Sequence, residues 1–582
     1  MDETFKDYLK QCDENYGIEL AMLGETVGDM GYHTSLPPGS WAHPTRQSLD
    51  YALALLQAGG KEQEERAADI IAKVISLQDA DPLSRSYGIW SWYQEEPIEK
   101  MRPPDWNWAD FLGARLAQVL SDHAAQLPAA LVASARAALG HAARSIFRRN
   151  VGLDYTNIAI MGGGVAAAAG ELLDEPSLLE YGRRRLQRVV ELTHHHGSFT
   201  EYNSPCYTMV ALEEPERILH ICRDGDVRAA AEALRRMAWQ VIAEHFHPGT
   251  RQWAGPHSRA YSDFLDASTA RYLSRQTGVD IAPHPSVAVS PHVQTRLVPA
   301  LPCPAELVSR FAKTNCGTRE IRKPFMRLNR DTADRSGWLT TDATPFKPGR
   351  NPHRYDDRVG TTWFSQDACL GSINHDDIWF QRRAVLGYWR TDDDPAVVLR
   401  LRFLHDGKDF ASAYLHNVQS GPRILSAVTF LTDRGDHHPF FDHPKDDVFA
   451  AADFRMRYQL SGNGVRIEKI AENCFALIAG GHQAVVHALP GRFGADEVRW
   501  ECGQEGNCVF VDAVCHHGDR RGFNLKSLGP VRIAAGLELL EPGQSGIGEH
   551  PHVGELDEAM TYEISWAGMS RRVPAVADVY PT

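Results

Sequence analysis

The spacing of apolar residues changes once along the chain, near Cys303, and that change limits the folds open to it. Before it, apolar residues recur at intervals of three and four, which lines one face of a helix. After it, short runs alternate apolar and polar residues between glycine, proline and aspartate, the pattern of antiparallel strands with one face in a core. Two periods require two bodies of structure, and 582 residues exceed what one core ordinarily serves. The expected class is multidomain, α then β. An (α/α) toroid, complete or incomplete, is expected over residues 1–310, followed by an antiparallel β-sandwich over 311–582.

Helices are expected over residues 4–23, 48–57, 62–77, 108–120, 128–148, 157–173, 177–193, 204–221, 226–245 and 262–275. Short links between them favour antiparallel hairpins. Residues 158–169 are apolar almost all round, whereas 179–192 are two-faced and carry a run of arginines. Alternation of the two kinds suggests an inner ring of helices within an outer ring.

Composition narrows the function. A net charge of −14 argues against a general nucleic-acid binder, but a locally basic cleft would still accept an anionic substrate. No run approaches the roughly 18 apolar residues of a membrane span, so no membrane partner is expected. The start, Met-Asp-Glu-Thr-Phe-Lys, lacks the basic and apolar segments of a secretory leader. The ten cysteines form no Cys-x-x-Cys pair and read as reduced thiols. The sequence as it stands is therefore expected in the cytoplasm, and in the periplasm or outside the cell if a leader has been removed.

Polar and aromatic residues collect just before the helices of the expected inner ring. They are Trp41, His43 and Arg46; Asp105, Trp106, Asn107 and Trp108; Asp154, Tyr155 and Asn157; Glu201, Tyr202 and Asn203; and His257, Arg259 and Tyr261. In a ring of hairpins every second helix runs the same way, so these five segments share one mouth. Trp90, Trp92 and Trp253 lie in nearby loops. Indole and phenol rings packing against sugar faces, with amides and carboxylates for the hydroxyls, describe a carbohydrate cleft. Within residues 197–207, Ser204-Pro205 is a helix start signal. Glu201, Tyr202 and Asn203 then precede a helix N-terminus, where amides and the helix dipole favour an anion.

Asn157, the run Gly-Ser-Phe-Thr-Glu-Tyr-Asn-Ser-Pro-Cys-Tyr at 197–207, and Gly-Pro-His-Ser-Arg-Ala-Tyr at 255–261 occur in that order. Together they resemble the polysaccharide lyases built as an α/α toroid plus antiparallel β-sandwich: the heparinase II/III-like, oligoalginate and chondroitin or hyaluronate lyases. The resemblance implies proton-handling roles for Tyr202 or Tyr207, His257 and Tyr261, and a carboxylate-holding role for Asn157 and Arg259. His257 or Tyr202 is the expected base, and Tyr261 or Tyr207 the expected acid. Asn203, Trp106, Asn107, Trp108, His43 and Trp253 are expected to contact the glycan. Many such lyases carry a histidine within the Gly-Ser-Phe patch, and this chain has none there. The implied substrate is an anionic oligo- or polysaccharide, and a homodimer is compatible with the sequence.

Plainer roles also fit. His257 follows a glycine-proline turn, as an ordinary loop histidine would, and Arg259 has Asp263 and Asp266 as nearby ion-pair partners. A toroid glycoside hydrolase would use two carboxylates, with Glu201, Asp154, Asp105 and Glu95 as candidates. No cofactor is expected. The histidines of the second half (His375 beside Asn374, Asp376 and Asp377; His405; His416; His437, His438 and His443) raise a structural divalent metal, but their spacing fits no zinc pattern. His194, His195 and His196 read as a solvated helix end. Residues 351–358 are a candidate loop reaching the toroid mouth.

Overall fold

The computed structural model describes residues 3–28, 33–287, 297–312, 317–327, 356–375, 381–432 and 447–579. The first half is a series of helical hairpins. After α1 (Glu3–Glu14), the pairs are α2 (Thr45–Ala58) with α3 (Lys61–Ser76), α4 (Trp108–Asp122) with α5 (Ala129–Arg149), α6 (Thr156–Leu173) with α7 (Pro176–His196), and α8 (Tyr207–Ile221) with α9 (Gly225–His245). α10 (Ala267–Thr277) follows. The even-numbered helices α2, α4, α6 and α8 pack one on the next as an inner layer, with α3, α5, α7 and α9 outside them.

Composition decides the layer. α6 is buried from Thr156 to Gly170. It is apolar and long enough to cross a membrane, yet 83% of it is covered by its neighbours. A glycine on each helix lets α7 close on it: a Cβ at Gly170 of α6 would overlap the backbone of Leu179, and one at Gly182 of α7 that of Ala167. α7 is two-faced. Leu178, Leu186, Val189 and Leu192 point inward, while Arg183 and Arg184 pair with Glu180 on the outside. Buried ion pairs tie the inner helices together, Arg115 to Asp50 at 2.8 Å and Arg115 to Glu214 at 3.9 Å. Beyond the C-terminal ends of α2 and α4, the carbonyl of Leu297 accepts from Gln57 and Gln118, both at 2.7 Å.

Several helix limits differ from the sequence expectation, three of them for reasons visible in the local structure. The first helix ends at Glu14 and gives way to a small hairpin. α8 starts at Tyr207 rather than Ser204, because the Ser204 hydroxyl accepts from the Tyr207 amide at 3.1 Å and donates to the Arg259 carbonyl at 2.6 Å. α10 starts at Ala267, where the Asp266 carboxylate caps the amides of Ser268 and Thr269 at 3.0 and 2.9 Å.

The helical half ends at Phe311, and long strands begin at Arg319. One antiparallel sheet runs β1 (Arg319–Met326), β2 (Arg358–Phe364), β3 (Ala368–Ile373), β4 (Val385–Trp389) and β5 (Val397–His405), then Val448–Ser461, Cys508–Asn524 and Asp496–Glu505. A second antiparallel sheet runs Ala413–Ser420, Arg423–Thr432, Val531–Leu540, His482–Ala488, Cys474–Ala479 and Arg466–Ala471. Their facing sides share one core. Val397, Leu399, Leu401 and Phe403 enter it from β5, and Val531, Ile533, Ala535, Leu537 and Leu539 from the other sheet, the period of two that a half-buried strand requires. The α-then-β class and the antiparallel sandwich expected from the sequence are the architecture observed.

The two halves meet along residues 255–260. His257 and Arg383 exchange backbone hydrogen bonds at 3.1 and 2.8 Å, and the amide of Ala260 donates to the Gln381 carbonyl at 2.8 Å. The Thr362 hydroxyl donates to the Gly255 carbonyl at 2.7 Å.

Candidate functional site

Side chains before consecutive inner helices bond to one another and form a linked rim. The indole of Trp108, at the start of α4, donates to Thr45, at the start of α2, at 3.0 Å, and stacks on Trp92 at 4.9 Å. Asn107 donates to the hydroxyl of Tyr155, before α6, at 3.3 Å. Asn157, in the first turn of α6, donates to Glu201 through its backbone amide at 2.9 Å and its side chain at 2.7 Å. The hydroxyls of Tyr207, at the start of α8, and Tyr261 lie 2.6 Å apart. The five segments therefore share one end of the inner layer. His43 stands at this rim too, its ring against Glu95. Trp106 donates to the Arg85 carbonyl at 3.3 Å, and Trp41, its ring against Gly24, is 57% exposed.

The centre of the rim is Arg259. Its Nε donates to Gln381 of the β half at 2.7 Å, and an Nη donates to Glu201 at 3.0 Å. Its guanidinium lies 4.1 Å from the centre of the Tyr207 ring, and Tyr155 is a further hydrogen-bonding neighbour. Burial alone would lower the pKa of this guanidinium, but Tyr207, Glu201 and Tyr155 around it raise it instead. Burial pushes the Tyr207 hydroxyl well up, while the Arg259 charge pulls it down. One cation thus sits among Tyr155, Tyr207 and Tyr261, and Tyr261 is 46% exposed. The inner phenols are held, and the outer one meets solvent.

Glu201 is an anchor in this arrangement. Its carboxylate accepts three hydrogen bonds, two from Asn157 and one from Arg259. The anion favoured at a helix N-terminus is supplied internally, by Glu201 at the start of α6. Arg259 pairs with Glu201, not with Asp263 or Asp266: Asp263 binds Arg383 and Arg400, and Asp266 caps α10.

Four expected site residues face away from the rim. Tyr202 is fully buried. Its ring stacks on Phe325 of β1 at 4.7 Å and its hydroxyl meets His245 at 3.0 Å, because the chain turns at Tyr202 and Asn203. Asn203 has φ of +48°, a left-handed conformation that asparagine tolerates. Its amide donates to the carbonyls of Ala254 and Pro256 at 2.8 and 2.9 Å, and its oxygen accepts from the buried Trp253 indole at 2.6 Å. His257 is buried, with Nδ1 2.6 Å from the Asn203 carbonyl, and burial pushes its pKa down to about 3. These side chains form the packing of the seam between the halves.

Three residues of the rim were given no role from the sequence. Tyr155 stands in a rim segment already recognised, so its position was readable. Arg149, which donates to Asn107 at 2.7 Å, ends an outer helix, and Gln381 lies in the other half; neither carries a local signal. Asp110, in the first turn of α4, is buried, and burial raises its carboxyl to about 7.

Among the described residues no group of three or more His, Cys, Asp or Glu is arranged to hold a metal ion. His375 meets Arg571 at 2.8 Å, His416 meets Thr429 at 3.1 Å, and His405 meets the Ala450 carbonyl at 3.1 Å. Asp376, Asp377, His437, His438, His443 and residues 351–355 lie outside the described residues.

Residues 22–278 match a family described as a domain of unknown function (DUF8769). The match takes in all five rim segments and ends one residue after α10. No curated protein matches the chain. Among solved structures the chain is similar to heparinase III, at 10% identity and a TM-score of 0.44, over 99% of this chain and 91% of that one. It is similar to a chondroitinase AC lyase at 9% identity and a TM-score of 0.37, over 99% and 92% of the two chains. It is also similar to a mutant heparan sulfate lyase from Pedobacter heparinus at 10% identity and a TM-score of 0.33, over 99% and 90%.

Proposed function

We propose that the protein is a lyase that cleaves a uronic-acid-containing polysaccharide or oligosaccharide by β-elimination. The observation that carries this is the hydroxyl pair of Tyr207 and Tyr261, 2.6 Å apart beside the Arg259 guanidinium, with Tyr261 open to solvent. In the elimination the base takes the C5 proton, the C–H electrons form the C4–C5 double bond, and the C4–O bond breaks. The departing oxygen takes a proton. As a phenolate, favoured by the charge of the neighbouring Arg259 guanidinium against the burial that opposes it, a tyrosine of this pair takes the C5 proton. Tyr261 meets the sugar, and Tyr207 holds its hydroxyl and shares the proton. The proton roles thus pass from Tyr202 and His257, which line the seam, to these two phenols.

Asn157 and Arg259 are already bound to Glu201, so they act on the substrate carboxylate by positioning and charge. The half-buried Arg149 spends one N–H on Asn107 and keeps others to meet that carboxylate directly, with Asn107, bound to Tyr155, positioning it. The exposed indole of Trp41 offers an apolar face to a sugar ring.

Glu201 is a poor acid or nucleophile while it accepts three hydrogen bonds, which tells against a hydrolase built on it. The test is incubation with a panel of uronic-acid polymers, following the near-ultraviolet absorbance of the conjugated double bond together with new reducing ends. Both rising in step is the expected result. Reducing ends without that absorbance would replace elimination by hydrolysis.

A further inference from the structure

A second basic feature lies on the strand that backs the site. β1 carries Arg319, Arg322 and Lys323, which with Arg310 and Ile321 line a crevice of about 320 Å³ against Glu244 at the end of α9. Four cations face one carboxylate in a protein whose net charge is −14. Lys323 is bound to Glu244 at 2.6 Å, and Arg319 donates to the Glu244 carbonyl at 3.1 Å with its guanidinium 4.1 Å from the Phe364 ring. These two are held by the helix end. Arg310 and Arg322 are exposed, and no described carboxylate pairs with either.

We infer that this crevice is a second binding site for an anionic glycan, gripping carboxylate or sulfate groups of a chain whose cleaved portion lies in the rim. The inference rests on the proposed lyase reading for the identity of the polymer. The geometry adds the connection between the two places. The end of β1 is seated on the site's own stretch: Pro324 lies against Gly197, and Phe325 stacks on Tyr202. Lys323 to Arg319 occupy the next roughly 7–20 Å of the same strand. Planar guanidinium forks match carboxylate and sulfate oxygens. Two fixed cations at the floor and two exposed ones at the lip would bind a linear polyanion without fixing its register.

The lip arginines have another explanation that the experiment must separate. Among the described residues β1 pairs with β2 alone, and charged side chains on an open strand edge also prevent pairing with a second copy.

The test is fluorescence anisotropy with a labelled, sulfated, uronate-containing decasaccharide, comparing the intact protein with the Arg310→Ser, Arg322→Ser double variant. Elimination on the shortest oligosaccharide that is turned over is measured in parallel. The double variant is expected to bind the decasaccharide about fivefold more weakly, with a shallower dependence on salt. Its turnover of the short substrate is expected to be unchanged. Unchanged decasaccharide affinity would overturn the inference, as would self-association of the variant with unchanged affinity, which would make the arginines guards of the strand edge. Weakened binding in a protein that eliminates no substrate would leave the crevice standing and remove the lyase reading. Normal elimination with unchanged affinity would do the reverse.

Discussion

Glu201 and Tyr202 are neighbours in sequence and belong to different environments. Glu201 joins a polar cluster with Asn157, Arg259, Tyr207 and Tyr261 that reaches solvent through Tyr261. Tyr202 joins a dry seam with His245, Phe325 and Ile373. Both regions contain phenols, and ionisable groups stand close to each. Composition therefore does not separate them. Charge and exposure do: Tyr261 of the cluster meets solvent and its partners raise the pKa of Arg259, whereas burial in the seam drives imidazoles neutral. A phenol in the first can share a proton with a substrate, and a phenol in the second can only hold two domains together.

Replacing Arg259 with lysine breaks the cluster most severely. The ammonium cannot donate at once to Gln381 and Glu201 in the guanidinium's fork. Turnover is expected to fall about a hundred- to a thousandfold while thermal unfolding stays cooperative; kcat and circular dichroism check this together. Gly360→Ala attacks the seam instead. A Cβ there would overlap the Tyr202 ring, and a stability loss of about 1–3 kcal/mol is expected in denaturant titration. An unchanged midpoint would mean that the seam is looser than described.

The regions also differ in their response to pH. Burial depresses His245 from 6.5 to about 4 and His257 from 6.5 to about 3. A histidine with a lowered folded pKa gives its full contribution above 6.5 and loses it as pH falls toward the folded value. Each imidazole withdraws up to about 1.4 kcal/mol per pH unit in that window. The melting temperature is therefore expected to fall steadily between neutral pH and about pH 4, and a flat profile would contradict the dry seam. The smallest effect belongs to Tyr202→Phe, which removes one hydroxyl bond to His245. About 1 kcal/mol of stability is expected to go, with turnover near that of the intact protein.

Much of this was readable from residues alone. The change of period near Cys303 announces both halves. The helix starts assemble into one rim because hairpins in a ring alternate in direction, so Asn157, Glu201, Tyr207, Arg259 and Tyr261 come together although they span a hundred positions. The path of the backbone was not readable. Nothing local says that Tyr202 and His257 turn inward, since that depends on Asn203 adopting a left-handed conformation and clamping Ala254 and Pro256. Gln381 was invisible for a similar reason. Its hydrogen bond to Arg259 crosses 122 positions and the boundary between the halves.

The central claim is that the phenols of the cluster, rather than those of the seam, carry the proton. The direct measurement is the rate at which Tyr207→Phe forms unsaturated product from the best uronate polymer, on protein shown to be folded, with Tyr202→Phe as its companion. A loss of at least about a hundredfold is expected for Tyr207→Phe. A near-normal rate for Tyr207→Phe, with activity lost in folded Tyr202→Phe, would contradict it.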